Sequence, residues 1–183
     1  MLDATHPWGR PVRASLGASV EAELATEPWQ FDAYFALRKT IFCDEQRLFV
    51  ETDRDEVDDA AEHLVAMSQI GGMPDRVVGV VRIYRDAGDT WFGGRLGVQR
   101  DYRRFGIVGS VLIAAAVSTA HARGCRRFFA TVQLANVAYF ERHHFAPRGP
   151  LTVCGGPHEL MEADLSHYPP APAGMRFLLS RVA

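Results

Sequence analysis

Four residues in a short stretch, Arg103, Arg104, Gly106 and Gly109, are of the types and spacing that could hold a phosphorylated ligand. Glycine adopts backbone angles that a Cβ would oppose, so a turn through Gly106 and Gly109 can curl with several N–H groups facing inward. Those donors, with the positive end of a following helix, favour an anion. The two arginines can add charge-assisted hydrogen bonds to phosphate oxygens. An apolar strand runs into this turn and an alanine-rich helix leaves it, so the position suits a diphosphate cradle. No Lys-Ser/Thr follows the second glycine, as a P-loop requires. Nor is there a G-x-G-x-x-G with a later ribose-binding acid.

A second concentration of chemistry is acidic. Glu51, Asp53, Asp55, Glu56, Asp58 and Asp59 fall within nine residues, opposed only by Arg54. Such a run is either a solvated loop or a field that attracts a cationic ligand. It lacks the glycine that a calcium loop needs at its sharp turn. Glu141 and His144 have the i, i+3 spacing of a carboxylate-bridged metal motif, but no second copy exists, and no metal is expected.

These groups need a frame. The chain has 183 residues, 48% of them hydrophobic, enough for one sizeable core. A net charge of −2 supplies no broad basic field, so nucleic acid is not an implied partner. No apolar run reaches the length of a membrane span and no signal pattern opens the chain. Three widely spaced cysteines suit reduced thiols, and a cytoplasmic protein is expected. Residues 1–17 read as an N-terminal arm, 18–168 as the working domain, and 169–183 as a Pro-rich, linker-like tail. Alternation predicts strands at Ser19–Ala25, His63–Ser68, Val77–Arg85, Trp91–Val98 and Arg127–Val132, with a closing hairpin, Leu151–Cys154 and His158–Leu165. Helical spacing covers Trp29–Phe42, Ser110–Arg123 (stopped by Gly124) and Val137–His143, with Asn136 as N-cap. Interleaved strands and helices with hairpins give an α/β (α+β) sheet of mixed direction.

From about Ser19 to about Tyr168 the chain resembles the GNAT acyltransferase superfamily. The family's diphosphate loop reads Arg or Gln, two residues, Gly, one residue, then Gly or Ala. Arg103, Gly106 and Val108 occupy those places, and Val108 departs. The resemblance implies a mostly antiparallel seven-stranded sheet flanked by helices and splayed between strands four and five. It implies acyl-CoA, most simply acetyl-CoA, as cosubstrate and a small amine as acceptor, with direct attack of the amine. A homodimer is compatible with it. Cofactor contacts would come from Leu96, Gly97 and Val98 on the fourth strand, from the run Arg103, Arg104, Phe105, Gly106, Ile107, Val108, Gly109, Ser110, and from Asn136. The segment from Leu37 to His63 is also similar to a GNAT branch with a Glu-Gln signature and to acyl-homoserine-lactone synthases, which raises a longer acyl chain as the alternative. A CoA-binding module without catalysis is another. The whole pattern resembles, in addition, a small group associated with bacterial nitrogen-starvation gene clusters.

The same resemblance frames the acid and base. Relatives carry a tyrosine in the helix after the fifth strand, where this chain has Phe140; Tyr139 stands one residue early. The candidate catalytic residues are His158, Glu45 and Tyr139. A neutral imidazole could accept the ammonium proton, since histidine titrates near working pH. His63 is a second imidazole with the same capacity.

Overall fold

The computed structural model describes residues 19–172 and 174–179; the 1–17 arm lies outside the described residues. In chain order the elements are β1 Val20–Leu24, α1 Pro28–Arg38, a π-helical turn Lys39–Glu45, β2 Glu62–Ile70, β3 Met73–Arg85 and β4 Thr90–Val98. There follow α2 Ile107–Ala122, β5 Arg127–Gln133, α3 Val137–Glu141, β6 Phe145–Val153, β7 Gly156–Ala163 and β8 Phe177–Leu179. Short 3-10 turns at Glu56–Asp59, Arg100–Phe105, Leu134–Asn136 and Leu165–His167 join them.

The strands form one sheet in the order β6-β7-β5-β4-β3-β2-β1-β8. Every pairing is antiparallel except β4 with β5, which is parallel. The eighth strand comes from the stretch that composition marks as a linker-like tail. Its three residues pair with Val20–Ala22, and Ala171 just before it is buried. Proline-rich sequence hides a strand that borrows its partner from the far end of the chain.

Helix α1 starts on Pro28 with a capping box between Glu27 and Gln30, so its first N–H groups are met at once. Helix α2 is buried on nearly all sides, from Val108 to Ala120. Its small residues let it lie close to the sheet. It is tight against Gly79 on β3, where an added Cβ would stand 2.5 Å from Val108 Cγ1 and 2.8 Å from Leu112 Cδ1. The bulk that the loop pattern forbids at Val108 is therefore accommodated by a glycine across the interface.

The parallel pair is short. β4 and β5 register only from Thr90 with Arg127 to Gly93 with Ala130. Beyond that, β5 stays paired with β7 up to Gln133 with His158, while β4 stays with β3. The sheet forks at Gly93. A register shift between Val80 and Arg82 marks a bulge in the β3–β4 ladder, and Arg95 opposite it takes φ +54°.

Candidate active site

The fork ends at the cradle. β4 passes through the turn Arg100–Phe105 into Gly106, whose φ of +67° is a left-handed conformation that glycine adopts without strain. α2 begins there without a side-chain cap, so the N–H groups of its first turn have no intrahelical acceptor and point at the loop's concavity. A Cβ on Gly109 would lie 2.5 Å from Tyr139 Oη. The missing Cβ at Gly109 thus makes room for Tyr139; it is the uncapped donors that fit a diphosphate, and these residues would hold that part of CoA.

The loop's shape is fixed from α3. Tyr139 Oη donates to the Gly106 carbonyl at 2.8 Å and lies 3.2 Å from Ser110 Oγ. His143 Nε2 is 2.7 Å from Ser110 Oγ, and its Nδ1 is 2.8 Å from the Tyr139 carbonyl. Burial pushes the Tyr139 phenol above its usual range, against the pull of Ser110 and Arg142, so the hydroxyl keeps its proton at neutral pH. Tyr139 thus acts on the loop; it does not line the cleft.

At the fork lies a cavity of about 250 Å³ whose lining includes residues from both faces of the sheet. Its α1-side mouth carries Gln46, Arg82, Arg95, Gln133, Asn136 and His158, and Gln133 Nε2 donates to Gln46 Oε1 at 3.2 Å across the opening. The side toward α2 is apolar. His158 is 8% exposed, and its Nδ1 sits 2.9 Å from the Gly156 carbonyl. A carbonyl only accepts, so in the neutral ring Nδ1 carries the proton and Nε2 is the accepting nitrogen.

The acidic run has a different use. Arg38, wholly buried, donates from Nε to Asp53 Oδ2 at 2.8 Å and from its two terminal nitrogens to both oxygens of Asp58 at 2.5 and 3.0 Å. Arg82 forks onto Asp55 and reaches Asp58 at 2.9 Å; Arg95 reaches Asp53 and Asp55, each at 3.1 Å. Burial would raise the Asp58 carboxyl, but hydrogen bonds from Arg38 and Arg82 carry it well below the usual carboxylate range. The hydrogen bond from Arg82 lowers the Asp55 carboxyl too. Three arginines thus neutralise three of the six acids. The reading of this run as an attracting field is corrected to that extent; Glu51, Glu56 and Asp59 stay exposed.

The remaining candidates divide by place. Leu96, Gly97 and Val98 lie on β4 beyond the fork; Ile107 and Val108 lie in the uncapped first turn. Arg104 is exposed. Arg103 turns back, donating from Nε to the Val98 carbonyl at 2.7 Å and from a terminal nitrogen to Glu45 Oε2 at 2.6 Å. Glu45 is therefore committed to the loop arginine and lies outside the cavity lining, unlike its neighbour Gln46. His63 sits on β2 among Phe31, Tyr34 and Phe35, away from the cavity, and burial pushes its imidazole below its usual value. His143 is a supporting residue that the candidate list from the sequence leaves out. Its i+4 spacing from Tyr139 was the available signal.

A sheet forked between a parallel fourth and fifth strand, with a glycine-led, uncapped helix N-terminus at the end of the fork, is a GNAT-like fold. The chain matches the model of the Acetyltransferase (GNAT) family over residues 22–145 and belongs to that family. Among solved structures it is similar to a Lactobacillus plantarum protein whose name proposes N-acetyltransferase activity, with 24% identity over 79% of this chain and 97% of that one, and a TM-score of 0.69. It is similar also to an acyl-CoA N-acyltransferase from Pseudomonas aeruginosa, at 17% identity over 79% and 98%, TM-score 0.62. A third is the CoA-dependent acyl-homoserine lactone synthase BjaI, at 22% identity over 82% and 86%, TM-score 0.61. At these identities the likeness shows the fold. No curated protein matches the chain. These comparisons give no support to the narrower resemblance to a nitrogen-starvation group. Among the described residues no helix is long and apolar enough to cross a membrane.

Proposed function

We propose that the enzyme moves an acyl group, most simply acetyl, from acyl-CoA to a small amine by direct attack. The observation that carries this reading is the meeting of three parts at one fork: the uncapped α2 N-terminus, the edge of β4 that β5 leaves free, and a buried histidine that lines the cavity. The diphosphate would lie on the Gly106–Ser110 turn with Arg103 at its edge, and the pantetheine arm along Leu96–Val98. The amine nitrogen attacks the thioester carbonyl carbon, the carbon–sulfur bond breaks, and CoA leaves as the thiolate. His158 Nε2 takes the ammonium proton. Tyr139 supports the cradle in this scheme, and protonation of the thiolate falls to solvent. A cytosolic setting suits the free Cys43, Cys125 and Cys154.

Binding is tested first. CoA at a hundredfold excess over its dissociation constant should stabilise the fold by about 2.7 kcal/mol. No rise in melting temperature at millimolar CoA or acetyl-CoA would remove the reading. Turnover on an amine panel then tests the base: His158→Ala should lose about 10²–10⁴-fold in kcat with CoA affinity kept.

A further inference from the structure

Of the clusters and cavities in the described chain, the charged mouth of the fork cavity carries the furthest inference. Arg82, Arg95 and His158 line it, and among the described residues no aspartate or glutamate does. The acids that pair with the two arginines stand behind them. Arg82 and Arg95 both donate to Asp55 Oδ2, at 2.8 and 3.1 Å, so the guanidiniums are neighbours. Each keeps a donor in reserve. The bonds of Arg95 run from Nε and Nη2 to Asp53 and Asp55, none among the described residues runs from Nη1, and the side chain is 18% exposed. Arg82 spends its terminal nitrogens on Asp55 and Asp58, and its Nε has no partner. Tyr34 Oη, His63 Nδ1 and Trp91 Nε1 are buried and unpartnered too, but none of those residues lines the cavity. Room beside Arg82 Nε comes from Gly94, its register partner on β4. An atom at the missing Cβ of Gly94 would have Arg82 Nε at 3.7 Å and, chain neighbours aside, nothing else within 4 Å. The mouth is open to solvent, with Gln46, Asn136 and Cys154 of its lining exposed.

We infer that the acceptor is an amino acid with an apolar side chain, its carboxylate held by Arg95 and Arg82 and its amine turned toward His158. This rests on the acyl-transfer reading above and names the substrate class of that site. A carboxylate accepts charge-assisted hydrogen bonds from the two spare donors. A bare alkylammonium would find no acid in the lining and two like charges beside it. Burial, and after it the charge of Arg82, pull the Arg95 guanidinium below its usual value, and a further anion would relieve both causes. The apolar side chain has its own place. Tyr84 and Phe92 line the same cavity, stacked at 5.7 Å and 16°, with the Arg82 guanidinium 5.8 Å from the Tyr84 ring. At about 250 Å³ the cavity is small for a ligand site, which suits a molecule that carries amine and carboxylate together. The chemistry is the transfer already described. The amine nitrogen bonds to the thioester carbonyl carbon, the carbon–sulfur bond breaks, the proton goes to His158, and an N-acylamino acid leaves.

The experiment compares matched pairs that differ by the carboxylate: phenylalanine with phenethylamine, leucine with isoamylamine, and tryptophan with tryptamine. Each is assayed with acetyl-CoA on the full chain and read as kcat/KM. The amino acid should be preferred by about 10- to 150-fold, the worth of one charged hydrogen bond. Gly94→Ala lays a methyl against Arg82 Nε and should lower that preference severalfold, through KM for the amino acid, with CoA affinity and the melting curve kept. Amine basicity is the same with both proteins, so the change in preference reports the carboxylate. Arg95→Lys, which keeps a charge near Asp55 but gives up Nη1, should lower it again; if it fails to melt cooperatively, Gly94→Ala decides alone. Equal rates within each pair, preference for the bare amines, or no turnover of either while CoA binds overturns the amino-acid acceptor and leaves the cofactor reading standing. Full preference retained in Gly94→Ala puts the carboxylate elsewhere, and the assignment falls. Failure of CoA itself to bind overturns both.

Discussion

Arg38 and Arg103 both meet carboxylates, yet the two pairings behave as different kinds of object. Arg38 is sealed, its side chain 0% exposed and its partners Asp53 and Asp58 at 2% and 3%. Arg103 is 40% exposed and its partner Glu45 19%. A sealed pair has already lost its water, so removing either partner strands a charge. A rim pair keeps most of its water, contributes little to stability, and can exchange one anion for another. The sealed cluster ties the loop before β2 to β3 and to the Arg95 bulge of β4, and so belongs to the frame. The rim pair lies at the edge of the cradle, where a diphosphate could replace Glu45. Charge density in the sequence is similar in the two places; desolvation separates them.

Breaking the sealed cluster is the harshest test of that contrast. Arg38→Ala should destabilise the fold by about 3–5 kcal/mol in urea unfolding, because Asp53 and Asp58 are left buried without their main partner. A loss below about 1 kcal/mol would mean that the cluster is not desolvated. Acid is the next lever. The folded pKa of Asp58 lies below its unfolded value, so its contribution is complete above the ordinary carboxylate range and drains away as pH falls through about 4 toward the folded value. Melting temperature should fall steeply over that window, and Asp58→Asn, less stable throughout, should show a shallower acid limb.

At the rim the effect should move from stability to binding. Arg103→Ala should weaken CoA by roughly 1.5–3 kcal/mol, the range of one charged hydrogen bond, and change unfolding by less than about 1 kcal/mol. The reverse pattern would make Arg103 part of the frame. Smallest of all should be Glu56→Gln with Asp59→Asn. These exposed acids should shift stability within about 0.5 kcal/mol and leave any amine kinetics unmoved. A raised KM for a cationic amine would restore the acidic run as an attracting field.

What the sequence shows and hides follows from distance along the chain. The cradle is local: β4, Gly106 and α2 are consecutive, and strand, turn and helix each leave their own pattern. The fork is legible only through the family resemblance, since nothing in β4 or β5 alone says where their pairing stops. The ion cluster is hidden because its bonds join residues 15, 20, 27 and 40 positions apart. Its acids look solvated until the arginines of α1, β3 and β4 are folded against them. Tyr139 illustrates a third case. Its offset from the family position was readable, but its grip on the Gly106 carbonyl depends on where α3 sits, which no spacing records. β8 is concealed by composition alone.

Gly79 gives the enzyme an unexpected sensitivity. It lies inside the sheet, on β3, yet it sets how deeply α2 is seated, because Val108 and Leu112 rest where its side chain would be. The helix works as a beam resting on that point, and the beam's end carries the N–H groups proposed to hold the diphosphate. One methyl group at residue 79 would act as a shim. It would raise the first turn of α2 and spoil the aim of groups whose placement decides affinity, a kind of displacement for which 1 Å is costly. Gly79→Ala should then appear in calorimetry as lost CoA affinity in a chain that still melts cooperatively, and unchanged affinity would show that the beam has another support.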